Sequence, residues 1–342
     1  MRLGVLTAGG DAPGLNAAIR AVARRALSLG HEVIGVRNGW LGLLEEDLID
    51  LGRHEVAGIM PLGGTILGTA RCSLDDPPGG RDRVAETIAR RLDGLVAIGG
   101  DGTLSVAQGL AASGAPVVGV PKTVDNDLSG TEYCIGFDTA VAIATEAIDR
   151  LHTTAASHHR VMVVEVMGRR TGWVAALAGL AGGADLILVP ERPVGLDQVV
   201  DHLDQRRRNG SSFSIVVVAE GADLGALGGH EDPGASHDGL GRPLLADRGV
   251  GRQLAALLEP ASGAETRTTV LGHVVRGGTA TAYDRIWATR LGVAATDLAI
   301  EGRWGVAAVV RDGRSTAAPI EELVGVAHPV PDDLLDLCAV FY

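Results

Sequence analysis

Leu95-Val96-Ala97-Ile98-Gly99-Gly100-Asp101-Gly102-Thr103 and Pro116-Val117-Val118-Gly119-Val120-Pro121-Lys122-Thr123-Val124-Asp125-Asn126-Asp127 decide how this chain is read. Each stretch opens with a short apolar run and ends in turn residues and charge. Runs of this length, rich in β-branched residues, predict buried parallel strands over 95–98 and 116–120. Open α/β sheets bind ligands just past the carboxyl ends of their strands. The two strands therefore deliver Asp101, Asp125, Asp127, the Lys122 ammonium and a bare glycine turn to one rim. Backbone N–H groups beside carboxylates point to phosphates, a metal and a proton to be moved.

Outward from this pair the pattern alternates. Strands are predicted at 2–7 and 32–36, and helices at 14–29, 81–92 and 104–112. Such alternation means an α/β fold, a mainly parallel sheet with helices on both faces. Val141, Ala144, Ile148 and Leu151 make one apolar stripe on a long helix over 138–155. That helix leads into a second α/β unit, with strands at 161–166, 186–189, 214–219 and 268–272. Helices are predicted at 171–181, 281–301 and 332–342. The expected division is residues 1–137 with about 275–303, and 138–274 with about 304–342. The Gly-rich segment 221–247 breaks the rhythm and reads as an exposed loop.

A chain of 342 residues is long enough for two domains. A net charge of −12 argues against a nucleic-acid partner, which would show a basic face. Anionic substrates stay open, because local arginines override the global field. Aromatic residues are only 3%, so Ala, Val, Leu and Ile must fill the core. Cys72, Cys134 and Cys338 are widely spaced and form no metal or redox motif, which favours a reducing compartment. No apolar stretch is long enough to span a membrane. A cytoplasmic protein is expected.

Four groups of residues carry chemistry. Thr7-Ala8-Gly9-Gly10-Asp11-Ala12-Pro13-Gly14 joins a predicted strand to a helix, and is either a tight βα turn or a phosphate cradle. Gly99-Gly100-Asp101-Gly102-Thr103 suits nucleotide phosphates, with a capped helix start as its plainer meaning. Asp125, Asn126 and Asp127 follow a buried strand directly, where such groups are expensive without a task. A carboxylate there can take the proton of an attacking hydroxyl. Most of Arg71, Arg160, Arg169, Arg267, His273 and Arg276 lie at strand ends or in Gly-bounded turns, positions that suit bidentate capture of a sugar phosphate. His273 alone would more often be a structural histidine.

As an ordered set, these motifs resemble the 6-phosphofructokinases. The resemblance runs through Gly9 to Arg20, Leu67 to Arg71, Gly99 to Thr103, Lys122 to Asp127, Val164 to Arg169, Ala219 to Gly221 and Glu265 to Gly278. It implies two Rossmann-like three-layer domains, one for the donor and one for the sugar phosphate. The implied reaction is Mg²⁺-dependent phosphoryl transfer to the 1-hydroxyl of fructose 6-phosphate, a step of glycolysis. Asp125 would be the base, with Asp127 beside it. Thr123 and Arg169 would steady the transferring group. Gly9, Arg71, Cys72, Gly100, Asp101, Gly102, Thr103 and Lys122 would form the donor site, with Asp101 holding Mg²⁺. Met167, Gly168, Arg169, Glu220, His273 and Arg276 would bind the sugar and its 6-phosphate, with Thr123 and Asp125. Arg160 and Arg267 match arginines that the family supplies from a neighbouring subunit. That implies at least a dimer, with a homotetramer the usual state.

The donor signature is mixed. Gly102 is ATP-like and Lys122 is diphosphate-like. An Asp at 102 would put bulk and charge where an α-phosphate must lie, and Gly leaves that space open. ATP is the expected donor, with inorganic diphosphate the alternative. Arg20 and Arg24 match two basic effector-site residues of the bacterial ATP enzymes. His152, Asp185, Asn209 and Ser211 depart from that set, which implies blunted activation by ADP. A silent sugar-phosphate sensor would be expected to lack Asp101, Asp125 or Arg169. A dinucleotide oxidoreductase would need G-x-G-x-x-G in the first turn. A kinase of a related sugar phosphate fits the same arginines.

Overall fold

The computed structural model describes residues 1–70, 72–75, 78–223, 225–226 and 248–340. Arg71 and most of the Gly-rich segment 221–247 lie outside the described residues. The chain divides into two compact units, Met1–Thr139 with Arg276–His328, and Ala140–Val275 with Pro329–Tyr342.

The chain begins β1 (Arg2–Thr7), α1 (Leu15–Ser28), β2 (Glu32–Val36), α2 (Trp40–Glu45), β3 (Leu48–Asp50), α3 (Gly80–Arg91), β4 (Gly94–Gly99), α4 (Asp101–Ala112) and β5 (Val117–Pro121). α5 (Phe137–His158) starts in the first unit and continues in the second. Then come β6 (Val161–Val166), α6 (Trp173–Ala181), β7 (Leu186–Leu188), α7 (Leu196–Arg208), β8 (Ser214–Ala219), α8 (Val250–Ser262) and β9 (Thr266–Val270). α9 (Ala282–Ile300), β10 (Val306–Arg311), β11 (Arg314–Pro319) and α10 (Asp332–Ala339) complete the order.

The first unit is built on one sheet in the order β11-β10-β5-β4-β1-β2-β3. The inner pairings are parallel, and the outer strands β3 and β11 are antiparallel to their neighbours. Every residue of β4 and β5 is buried, which is why both read as unbroken apolar runs. Leu6, Ile34, Leu95, Ala97 and Val117 meet Trp40, Leu43, Val84, Ile88, Leu104 and Leu110 of α2, α3 and α4. α1 and α9 pack together and against the strands as well. Arg25 Nε on α1 donates to Asp297 Oδ1 on α9 at 2.6 Å.

The second unit holds the all-parallel sheet β7-β8-β6-β9. Val163, Leu188, Val216 and Val218 from its strands pack with Val199 and Leu203 of α7 and Leu254 and Leu258 of α8. The two-unit, mainly parallel α/β architecture agrees with the sequence reading.

Several boundaries differ. The strand expected at 268–272 spans Thr266–Val270, because the chain turns into a 3₁₀ helix at Gly272. No range was predicted for α2, β3, α7, α8, β10 or β11. Residues 304–328 were expected with the second half and fall in the first unit. The reason is pairing: β10 adds to β5, and a hairpin through Asp312 (φ 50°) and Gly313 (φ 64°) brings β11 alongside. Cys72, Cys134 and Cys338 are free thiols. Among the described residues, no helix is long and apolar enough to cross a membrane.

One fully buried carboxylate ties α9 to the start of α5. Asp284 accepts from Tyr133 Oη (2.5 Å), Gly136 N (2.6 Å), Thr139 N (2.8 Å) and Thr139 Oγ1 (2.5 Å). Removing the acceptor strands these donors away from water, and buried unpaired groups are costly. Asp284→Ala is expected to destabilise the protein by about 4 kcal/mol, the scale of a broken buried charge network. Urea unfolding measures it, and a loss below about 1 kcal/mol would contradict this role.

Candidate active site

In the first unit the rim is set by strand order. β1, β4 and β5 are parallel neighbours, so the turns after Thr7, Gly99 and Pro121 emerge side by side. Ala8 N donates to Ile98 O at 3.1 Å, and Lys122 N donates to Gly99 O at 3.0 Å. Gly9 has φ +80°, and a Cβ on it would lie 3.3 Å from Thr103 Oγ1. The first turn is therefore pressed against the start of α4, and Gly is the residue that fits. Thr69 Oγ1 donates to Gly9 O at 2.6 Å. Gly100, Asp101, Gly102 and Thr103 open α4, with Gly102 exposed and Thr103 buried.

Lys122 is the unexpected member. The sequence reading placed its ammonium near transferring phosphates. In the structure it is 2% exposed, and Nζ donates to Gly10 O and, at 3.4 Å, to Ala8 O. Burial, and after it the Arg276 guanidinium, lower this ammonium from 10.5 to about 8. Arg276 flanks the same turn: Nη1 donates to Asp11 O at 2.9 Å. Two cationic side chains thus brace the backbone of residues 8–11.

Past Lys122 the chain makes a compact loop. Thr123 Oγ1 accepts from Asp125 N at 3.2 Å. Asp125 is half-buried and Asp127 is 9% exposed. His328 N donates to Asp127 O at 3.0 Å, and Ser129 Oγ donates to Glu322 O and Val326 O. Gly325 N donates to Asp101 Oδ1 at 2.9 Å. Residues 322–328 therefore strap both acidic segments, a contribution the sequence reading missed. Its only trace in sequence is a turn-rich stretch after β11. Cys72 is half-buried against the first core, and burial pushes its thiol up.

In the second unit β6, β8 and β9 bring their carboxyl ends to one edge. Met167, Gly168 and Arg169 follow β6, Glu220 follows β8, and His273 follows β9 in an exposed 3₁₀ turn. Glu220 N donates to Val166 O at 2.9 Å, and Gly221 N to Gly168 O at 3.0 Å. Gly168 has φ +144°, where a Cβ would lie 2.6 Å from Thr171 O. Only Gly lets the turn holding Arg169 close.

Arg160 and Arg267 are elsewhere. They sit at the amino-terminal ends of β6 and β9, whereas Met167, Arg169, Glu220 and His273 lie beyond the carboxyl ends. β6 has 6 residues, so the two groups are separated by roughly 20 Å of strand. Arg160 Nη2 meets Glu265 Oε1 at 2.8 Å, and Arg267 pairs with Glu265 and, at 3.6 Å, with Glu259. Arg160 holds the Glu265 carboxyl below the usual range. One chain does not assemble all of the sequence-predicted sugar-phosphate residues on one rim.

Asp185, one of the departures from the effector set, is salt-bridged to Arg206 at 2.6 Å and accepts from Ile215 N at 2.8 Å. His152 Nε2 bonds Gly182 O at 2.7 Å. Among the described residues, no three His, Cys, Asp or Glu side chains cluster as a metal cage.

Glycine turns and carboxylates beyond parallel strands place the molecule among the ligand-binding open α/β proteins. The chain belongs to the phosphofructokinase family, whose model, "Phosphofructokinase", matches residues 2–299. It is 48% identical over 344 residues to a pyrophosphate–fructose 6-phosphate 1-phosphotransferase of Amycolatopsis mediterranei, covering 100% of both chains. It is 47% identical over 334 residues to an ATP-dependent 6-phosphofructokinase 3 of Streptomyces coelicolor, covering 97% of each. The structure of phosphofructokinase from Saccharomyces cerevisiae superposes with a TM-score of 0.78 at 34% identity, over 94% of this chain and 45% of that one.

The buried ammonium makes a prediction. Folded Lys122 releases its proton near 8 and the unfolded side chain near 10.5. Between these values the unfolded chain holds the extra proton, so stability gains as pH rises through the window, by at most about 1.4 kcal/mol per pH unit. Below about 8 the penalty is fully present. Lys122→Met is expected to lack this gain. Unfolding free energies of both proteins from pH 8 to 10.5 test it, and parallel curves would contradict the burial of charge.

Proposed function

We propose that this enzyme transfers the terminal phosphoryl group of ATP to the 1-hydroxyl of fructose 6-phosphate, giving ADP and fructose 1,6-bisphosphate. The observation that carries the reading is the first-unit rim, where Asp125 and Asp101 follow adjacent strands beside the Gly9-Gly10 turn. The Asp125 carboxylate takes the hydroxyl proton as the sugar oxygen bonds to the terminal phosphorus. The bond from that phosphorus to the bridging oxygen breaks, and its electron pair leaves with ADP. Thr123 and Arg169 orient the transferring group and offset its charge, which is most of what phosphoryl transfer asks of a protein. Gly9, Gly100, Gly102 and Thr103, with Arg71, receive the donor. Met167, Glu220, His273 and Arg276 receive the sugar phosphate. Arg160 and Arg267 lie at the other strand ends, which supports their service to a neighbouring subunit in a homo-oligomer, a tetramer by preference.

The residues suit magnesium in one particular mode. One carboxylate, Asp101, beside a backbone-lined turn is the donor set of an ion held chiefly by phosphate oxygens and water. Asp101 would hold Mg²⁺, which when bound would neutralise charge on the donor phosphates.

ATP is favoured over diphosphate on two grounds. Gly102 is exposed in the first turn of α4 and carries no side chain to meet an α-phosphate. Lys122, the diphosphate-like residue, spends its ammonium on the Ala8 and Gly10 carbonyls. Diphosphate remains the second reading, because the Amycolatopsis relative is named for it.

Asp125→Asn is expected to lower kcat by roughly 10²–10⁴, the usual worth of a general base. Near-normal turnover would refute the assignment. Comparing kcat/KM for ATP and diphosphate decides the donor, and a strong diphosphate preference overturns the ATP reading. Gly102→Asp is expected to weaken use of ATP more than use of diphosphate. Because His152, Asn209 and Ser211 stand where the bacterial ATP enzymes usually carry cations, ADP is expected to leave the sugar-phosphate dependence of the rate nearly unchanged. A large ADP-induced fall in the apparent constant would contradict this.

A further inference from the structure

Asn126 stands between the two loop aspartates and is 1% exposed. Its backbone has φ +49°, in the left-handed region. Non-Gly residues avoid that region, and Asn pays the least because its short amide can bond locally. Here both ends of the amide are used. Oδ1 accepts from Cys134 N at 2.9 Å, and Nδ2 donates to Glu132 O at 3.2 Å.

The segment that receives these bonds is itself fixed. Ile135 N donates to Pro121 O at 3.2 Å, beside the bridge between Ile135 and Lys122. Gly136, Thr139 and Tyr133 are held by Asp284. Val124 and Leu128 are buried on either side of the aspartates, at 1% and 0% exposure. The loop therefore has hydrophobic anchors at its ends and one polar anchor at its centre.

That centre decides how the chain runs from Asp125 to Asp127. Returning residue 126 to the ordinary right-handed region would swing the following chain by roughly 110° relative to the preceding one. Asp127 could not then keep its place under His328 N. We infer that Asn126 is a positioning residue. Its left-handed backbone and bidentate amide fix the direction in which Asp125 presents its carboxylate. This rests on the reading of Asp125 as the base.

The inference separates two contributions. Asn126→Gly accepts the left-handed backbone without strain and loses only the two amide bonds. Asn126→Ala loses the bonds and opposes the backbone as well. Steady-state kinetics, with kcat expressed per folded molecule, are expected to rank wild type above Asn126→Gly, and Asn126→Gly above Asn126→Ala. The Gly variant should lose roughly 10–100-fold in kcat, the cost of a small misplacement at a reacting centre. Its KM values for donor and sugar phosphate should move by less than about threefold, since the lost alignment acts on the transition state rather than on binding. A merely structural role would lower the melting temperature and leave kcat per folded molecule and its split from KM unchanged. If Asn126→Gly turns over within about twofold of wild type, or loses only in KM, the inference fails. Asn126→Gly is the deciding variant should Asn126→Ala not fold. Measured alongside, Asp125→Asn keeps the two ideas apart. An inactive Asp125→Asn with a normal Asn126→Gly rejects the positioning role alone, and an active Asp125→Asn rejects the base itself.

Discussion

The Lys122 ammonium, withdrawn from water onto the carbonyls of Ala8 and Gly10, is the contact on which the first-unit rim depends. It spans from the end of β5 to the turn after β1, past β4. A bare turn of two glycines has no side chains of its own to define it, and its carbonyls would otherwise need water. A cation beneath them and Arg276 beside Asp11 O supply the missing partners. The cost is a buried charge with a second cation nearby, and the lowered proton affinity of Lys122 expresses that cost.

The second unit solves a different problem. Its rim carries Arg169 and Glu220 on turns closed by backbone bonds between 166–168 and 220–221, and His273 on a 3₁₀ turn. Parallel strands give the sheet a polarity, so residues at the two ends cannot serve one rim. Arg160 and Arg267 share Glu265 at the amino-terminal end. Glu265 keeps two guanidinium groups in place on a surface they would otherwise leave strongly positive.

Much of this was legible in the sequence. The strands 2–7, 32–36, 161–166 and 214–219 match to the residue, because each is built around a short apolar run, such as Val161-Met162-Val163-Val164 and Ile215-Val216-Val217-Val218. The rim residues of the first unit were legible for the same reason: a charge that directly follows a buried strand has only the sheet edge to occupy. The misses have physical causes. α8 carries a stripe of Val250, Leu254 and Leu258, but Pro260 in its last turn masks it. β10 and β11 are joined by Asp312-Gly313, a strong hairpin signal, yet the alternating Arg314–Pro319 strand is too polar to read as sheet. Long-range partners were not legible at all. Neither the strap at 322–328 nor the burial of Lys122 leaves a mark in local pattern, since both depend on which distant backbone atoms arrive beside them.

The margins of the larger sheet have a consequence for the protein in bulk. β3 has only 3 residues, and β11 begins with Arg314 and ends with Pro319. An unguarded edge strand would offer a long row of open amides and carbonyls to any neighbouring chain. Short, charged and proline-ended borders deny that template. A crowded solution of this enzyme is thereby denied lateral strand addition to this sheet as a path toward fibrils.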